Sequence, residues 1–176
     1  MSNINIEFNI EDNNWLEYYQ NIAKNLSDFL IEISKKTKLQ QLQEQNINIE
    51  ISILLTNNSK IRELNKNYQK KDKATNILAF PLNDLNLQKD QNITEFLFNN
   101  NLILGDLILS LEYLKNESKE QNKSLNHHLK HLLLHGLLHL ICYDHIAEND
   151  RKKMEELEIR ILRDFEVSDP YETVSL

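Results

Sequence analysis

The chain of 176 residues holds one cysteine, two glycines, two prolines and one tryptophan. A single cysteine excludes an internal disulfide, so no covalent framework can stand in for a packed core, and a reducing compartment is expected. The opening MSNINIEFNIEDNNW lacks the basic flank and apolar centre of a signal peptide. The longest apolar run, residues 132–142, is interrupted by two histidines and falls far short of the roughly 18 residues a membrane helix needs. A soluble, cytoplasmic protein with no membrane partner is therefore expected. So few glycines leave the turns to asparagine and aspartate, which tolerate left-handed backbone better than other side chains.

Net positive charge is lacking as well. The chain carries −7 overall, whereas a protein that holds nucleic acid by bulk charge is basic throughout. One basic stretch stands out from an acidic body: Lys60, Arg62, Lys66, Lys70, Lys71 and Lys73 against Glu63 and Asp72. At 40% hydrophobic, this length builds one core and not two comfortable ones, so a single domain over residues 1–176 is expected.

What is present is histidine in one place. All six histidines, at 127, 128, 131, 135, 139 and 145, fall in SLNHHLKHLLLHGLLHLICYDH. At 100° per residue, the first five share one arc of about 120° while leucines cover most of the remainder, which predicts a buried helix with one polar stripe. His135 and His139, four apart, can hold one ion, and His145 is the third candidate if the chain turns back after the helix. The resulting spacing, His-x3-His-x5-His, equals that of the metzincin proteases, but Gly136 stands where those enzymes carry their general-base glutamate and Cys142 where they carry the turn glycine. Peptidase chemistry thus loses its base. Three imidazoles and an open fourth position still describe a catalytic zinc site, in which the pKa of a bound water falls to roughly 7. His131 continues the row and is expected to line the cleft rather than bind metal; His127 and His128 read as ordinary helix residues.

The remainder reads as alternating elements. Strands are expected at 5–8, 46–55, 76–80 and 102–110, the third stopped by Pro81. Helices are expected over 13–34, from an Asn57–Ser59 cap to Tyr68, from about Leu109, and over 149–165 with Met154, Leu157, Ile161, Leu162 and Phe165 on one face. The polar connection of about 20 residues before Leu102 is long enough for a lid or mobile loop. Gly105 inside a strand pattern suggests a bulge or close backbone approach, and Gly136 a tightly packed helix face. The fold class is α+β, with a small mixed sheet flanked by helices.

HxxxHGLLHLICYDH resembles the signature of the YbeY family of metal-dependent endoribonucleases, H-G-x-L-H-L-x-G-Y-D-H. Residues 64–82, LNKNYQKKDKATNILAFPL, are similar to that family's L-N-x-x-Y-R-x-K-D-x-P-T-D/N-V-L-S-F-P, and LGDLILS to its L-G-D-I/L-x-I-S strand. The resemblance implies a sheet of about four strands with the metal-binding helix buried, one zinc ion on His135, His139 and His145, and RNA as substrate. It further implies single-strand cleavage in maturing the 3′ end of small-subunit ribosomal RNA, and a part in ribosome quality control. The family's arginine aligns with Gln69, which donates a hydrogen bond without charge; Lys70, Lys71 or Lys73 could compensate by position. Ala74 and Ala79 replace the motif's proline and serine. Cys142 replaces a glycine, and were the helix to continue to 142 its thiolate could close the site, which keeps open a second reading: a ribosome-assembly factor that binds without cutting, around a structural zinc. Asp144 could support a histidine N–H or cap the turn, and the general base is unassigned.

Overall fold

The computed structural model describes residues 3–87, 89, 91–143 and 147–172. Its centre is a four-stranded sheet ordered β1-β2-β4-β3, with β1 (Ile4–Ile10), β2 (Asn48–Thr56), β3 (Ile77–Pro81) and β4 (Asn101–Ser110). The first three in that order run parallel and β3 is antiparallel to β4, so the sheet is mixed as expected. Strict alternation in β2 sends Ile49, Ile51, Ile53 and Leu55 into the core and leaves Glu50, Ser52 and Leu54 on the other face.

Between β2 and β4 the register shifts by one residue at Glu50/Ile51, next to Leu104 and Gly105. Gly105 has φ +135°, and a β-carbon there would lie 2.0 Å from the Phe80 carbonyl oxygen. Only glycine fits, and the sequence expectation of a close backbone approach holds.

The helix expected over 13–34 is two helices, α1 (Asn14–Tyr18) and α2 (Ile22–Ser34). Tyr19 is extended and Asn21 left-handed at φ 55°. Asparagine accepts that conformation at little cost, and the break lets Trp15 tuck fully under the sheet end, its Nε1–H donating to the Thr56 carbonyl at 3.0 Å. Tyr18, whose helical spacing with Trp15 and Ile22 in the sequence reads as core, is exposed instead, with Lys115 Nζ 3.3 Å above its ring. A short α3 (Leu39–Glu44) occupies what reads in the sequence as a polar linker; Leu39 and Leu42 anchor it.

The remaining helices are α4 (Asn58–Gln69), α5 (Leu111–Glu120), α6 (Leu125–Leu140) and α7 (Glu148–Arg163). Asn57 caps α4 by accepting from Lys60 N–H at 3.1 Å, and the Ser110 and Ser124 side chains cap α5 and α6. α6 packs against β3 and β4, and Gly136 makes that possible: a β-carbon would stand 2.8 Å from both Ile77 Cδ1 and Leu107 Cδ2. The connection from β3 to β4 includes a 3₁₀ turn at Ile93–Phe96 and sends Leu85 into the core. No helix among the described residues is long and apolar enough to cross a membrane.

Candidate functional site

His128, His131, His135 and His139 fall where α6 faces a cleft of about 670 Å³ that β3 and the C-terminal Pro170 and Tyr171 also line. Leu129, Leu133, Leu137 and Leu138 drive one side of α6 into the core, which turns His128, His131, His135 and His139 toward the cleft. The rings form a file: centroids lie 6.4 Å apart for His128 and His131, 6.1 Å for His131 and His135, and 4.5 Å for His135 and His139. The last pair is nearly perpendicular, with the two Nε2 atoms 3.0 Å apart.

Behind this file stands a residue the sequence reading passed over. Glu158 of α7 is fully buried. Its Oε1 lies 2.9 Å from His135 Nδ1, its Oε2 3.4 Å from His131 Nε2, and the Tyr171 hydroxyl donates to the same Oε2. Burial pushes the Glu158 carboxyl up, but hydrogen bonds and charge from His131 and His135 outweigh it and bring it down to about 2. Burial, then the charge of Glu158, raises the Tyr171 hydroxyl, so it remains a donor. Among the described residues, His131, His135 and Glu158 form a group that could hold a metal ion, with ligand atoms within 4.8 Å of one another.

At the other end of the cleft, Glu117 Oε2 accepts from Asn76 Nδ2 and His128 Nε2, both at 2.7 Å. Burial lowers the pKa of His128 despite Glu117, so a neutral, Nε2-protonated ring is favoured. His128 therefore serves as an anchor between α5 and α6. Lys123 lines the cleft and donates to the Pro170 carbonyl at 2.6 Å, tying down the segment that carries Tyr171.

Of the residues expected to meet substrate, Gln69 lines the cleft and the three lysines do not. Lys70 caps α4 in the left-handed conformation with Nζ on the Asn67 carbonyl, and the Lys71 N–H binds the Asn65 carbonyl. Lys73 borders a separate surface hollow with Arg62 and Asp72. Asp72 also pairs with Arg62 at 2.8 Å and Lys66 at 2.9 Å, which holds its carboxyl below the usual range and offsets part of the basic patch.

α6 ends at Leu140, and Cys142 follows with φ 61°. Cys142 N–H binds the His139 carbonyl at 3.0 Å and Tyr143 N–H the Leu138 carbonyl at 2.9 Å, the paired bonds of a helix end that normally takes glycine. The chain thus makes its turn with a cysteine in the glycine conformation. The closed-site alternative is argued from a helix running on to 142, and α6 ends at Leu140. Asp144 and His145 lie outside the described residues.

The family model described as Endoribonuclease YbeY matches residues 7–166. The chain belongs to the YbeY family. Endoribonuclease YbeY of Colwellia psychrerythraea strain 34H is 41% identical over 131 residues, which cover 72% of this chain and 74% of its own. Endoribonuclease YbeY of Clostridium botulinum strain Loch Maree is 33% identical over 160 residues, covering 85% and 89%. The solution structure of TM1509 from Thermotoga maritima aligns over 96% of this chain and 99% of its own at 21% identity with a TM-score of 0.47, too loose a likeness to add to the assignment.

Besides Asn76, Glu117 and Lys123 at the other end of the cleft, Glu158 and Tyr171 are the members of the histidine cluster that sequence reasoning missed. A signal existed for the first: Glu158 is four residues after Met154 and three before Ile161, so it falls on the apolar face of its helix. Nothing local marks Tyr171, whose role depends on how the chain folds back after α7.

Proposed function

We propose that the protein is a zinc-dependent endoribonuclease that cuts single-stranded RNA, acting in the cytoplasm on the 3′ end of small-subunit ribosomal RNA and in ribosome quality control. One domain spanning residues 1–176 carries the activity, with one zinc ion held by His135, His139 and His145. The observation that carries this reading is the convergence of His135 and His139 Nε2 at 3.0 Å on the cleft wall. Around a tetrahedral zinc with nitrogens at about 2.0–2.1 Å, two such atoms stand roughly 3.3 Å apart, so the pair fits the ion with a small adjustment.

Zinc bound there supplies a Lewis acid for a phosphoryl oxygen and a source of hydroxide at neutral pH. The chain's own groups supply position. Gly136 lets α6 press against β3, so the histidines and Gln69 face one cleft. Gln69 donates an amide hydrogen bond to the RNA backbone without adding charge, and Lys70, Lys71 and Lys73 provide cationic charge on the approach. His131 lines the path of the strand.

The test is cleavage of a single-stranded RNA carrying the ribosomal 3′ sequence, with zinc content measured alongside. Wild type cuts; His135→Ala and His139→Ala remain folded, bind less than one zinc and lose cleavage at least 100-fold. Zinc-loaded wild type without cleavage, or His139→Ala with full cleavage, overturns the reading.

A further inference from the structure

We propose that Glu158 is a positioning residue, not a metal ligand: it fixes the ring proton of His135 on Nδ1 and so presents Nε2 to the cation, with Tyr171 clamping Glu158 from the C-terminal segment. The part about zinc rests on the proposed function above; the proton placement applies to the metal-free protein as well.

An ionised carboxylate only accepts hydrogen bonds, so the hydrogen in each of its contacts sits on the partner. His135 Nδ1 at 2.9 Å therefore carries a proton toward Oε1, and in a neutral ring Nε2 is then the bare nitrogen. His131 Nε2, between Glu158 Oε2 at 3.4 Å and the Tyr171 oxygen at 3.3 Å, carries a proton as well. One carboxylate thus sets two neighbours in opposite tautomers: His135 keeps its coordinating nitrogen for the cleft, and His131 has Nε2 committed to a hydrogen bond. This explains why the group of His131, His135 and Glu158, close enough to hold an ion, is better used as a support. A catalytic ion needs an open side, and Glu158 has no exposed surface while the His135 ring is a quarter exposed.

A fully buried carboxylate must be satisfied on both oxygens or it destabilises the fold. Tyr171 adds a hydroxyl donor to Oε2, where His131 reaches only to 3.4 Å, and Lys123 on the Pro170 carbonyl secures the segment that delivers it. The last residues of the described chain therefore reach back to the metal end of the cleft, and shortening the protein before Tyr171 should be felt there.

Long-range ¹H–¹⁵N spectra of the imidazoles at pH 8, on metal-free and zinc-loaded full-length protein, decide the matter together with zinc affinity measured by chelator competition. Wild type should show His135 protonated on Nδ1 in both states. Glu158→Gln should mix the tautomers and weaken zinc about 10–100-fold, the usual effect of losing a ligand's outer partner. Should that variant misfold, Tyr171→Phe, a change at a partly exposed position, should shift the tautomer population in the same direction and weaken zinc a few-fold. The proposal is overturned by His135 carrying its proton on Nε2 in the metal-free wild type, by zinc bound through Nδ1, or by tautomers and affinity that neither variant alters. Loss of zinc beyond 1000-fold in a folded Glu158→Gln protein would make Glu158 a ligand and also overturn it. If wild type binds no zinc, the proposed function fails while the metal-free spectrum still tests the proton placement.

Discussion

Cys142→Gly should stabilise the protein. Cys142 sits at φ 61°, where a β-carbon costs roughly 1–2 kcal/mol, and it closes α6 through the Cys142–His139 and Tyr143–Leu138 backbone bonds. Glycine removes that strain but gains freedom in the unfolded chain, which offsets about 0.5–1 kcal/mol. The net gain should be about 0.5–1 kcal/mol, or about 1–4 °C in Tm for a chain of this size. Urea and thermal unfolding measure it, with Cys142→Ala as control. Alanine loses the sulfur's contacts yet keeps the β-carbon, so it should show no gain. If glycine is no more stable than alanine, the left-handed cap at 142 is wrong. Zinc affinity reads a second point from the same pair: a sulfur acting as fourth ligand would make both variants bind zinc more weakly, whereas a glycine-like cap predicts no loss in either.

Other substitutions probe the frame around the site. Gly105→Ala would place a β-carbon 2.0 Å from the Phe80 carbonyl oxygen at φ +135° and should lose roughly 3–5 kcal/mol by urea unfolding; a loss under about 1 kcal/mol would refute the close approach. Gly136→Ala gains about 1 kcal/mol of helix propensity but must displace Ile77 and Leu107 atoms at 2.8 Å, so a net loss of about 1 kcal/mol is expected, and greater stability would show that the face has room. His128 has its folded pKa depressed by burial, so its contribution is complete above the unfolded value of about 6.5 and is lost as pH falls through that value toward the folded one. Stability measured between pH 7.5 and 5 should fall less steeply in His128→Asn than in wild type; parallel slopes would rule out a buried neutral ring.

The parts of this protein that sequence makes legible are those with a period or a local chemical rule. The alternating isoleucines of β2, the asparagine cap of α4 and the leucine faces of α6 each follow from spacing alone, and together they set the mixed sheet with a buried histidine helix. The break at Tyr19–Asn21 was hidden because both halves keep one apolar period, while the choice between a single helix and two was made by Trp15 reaching the Thr56 carbonyl, a contact 41 residues away. Long-range hydrogen bonds of this kind leave no mark in a window of 18 residues.

The same reasoning explains why the histidine row could be found from sequence and its support could not. Four imidazoles on consecutive turns announce themselves because one helix positions them all. Glu158 comes from a helix 23 residues further on than His135, and Tyr171 from beyond that helix, so their convergence is a property of how α7 crosses α6. A charged residue on an apolar helix face nevertheless has few ways to be buried: it needs donors, and α6 is the neighbour that offers ring N–H groups. Glu158 beside Leu157 and Ile161 therefore implies a polar partner across the interface, and the histidine stripe is the partner that the helix packing supplies.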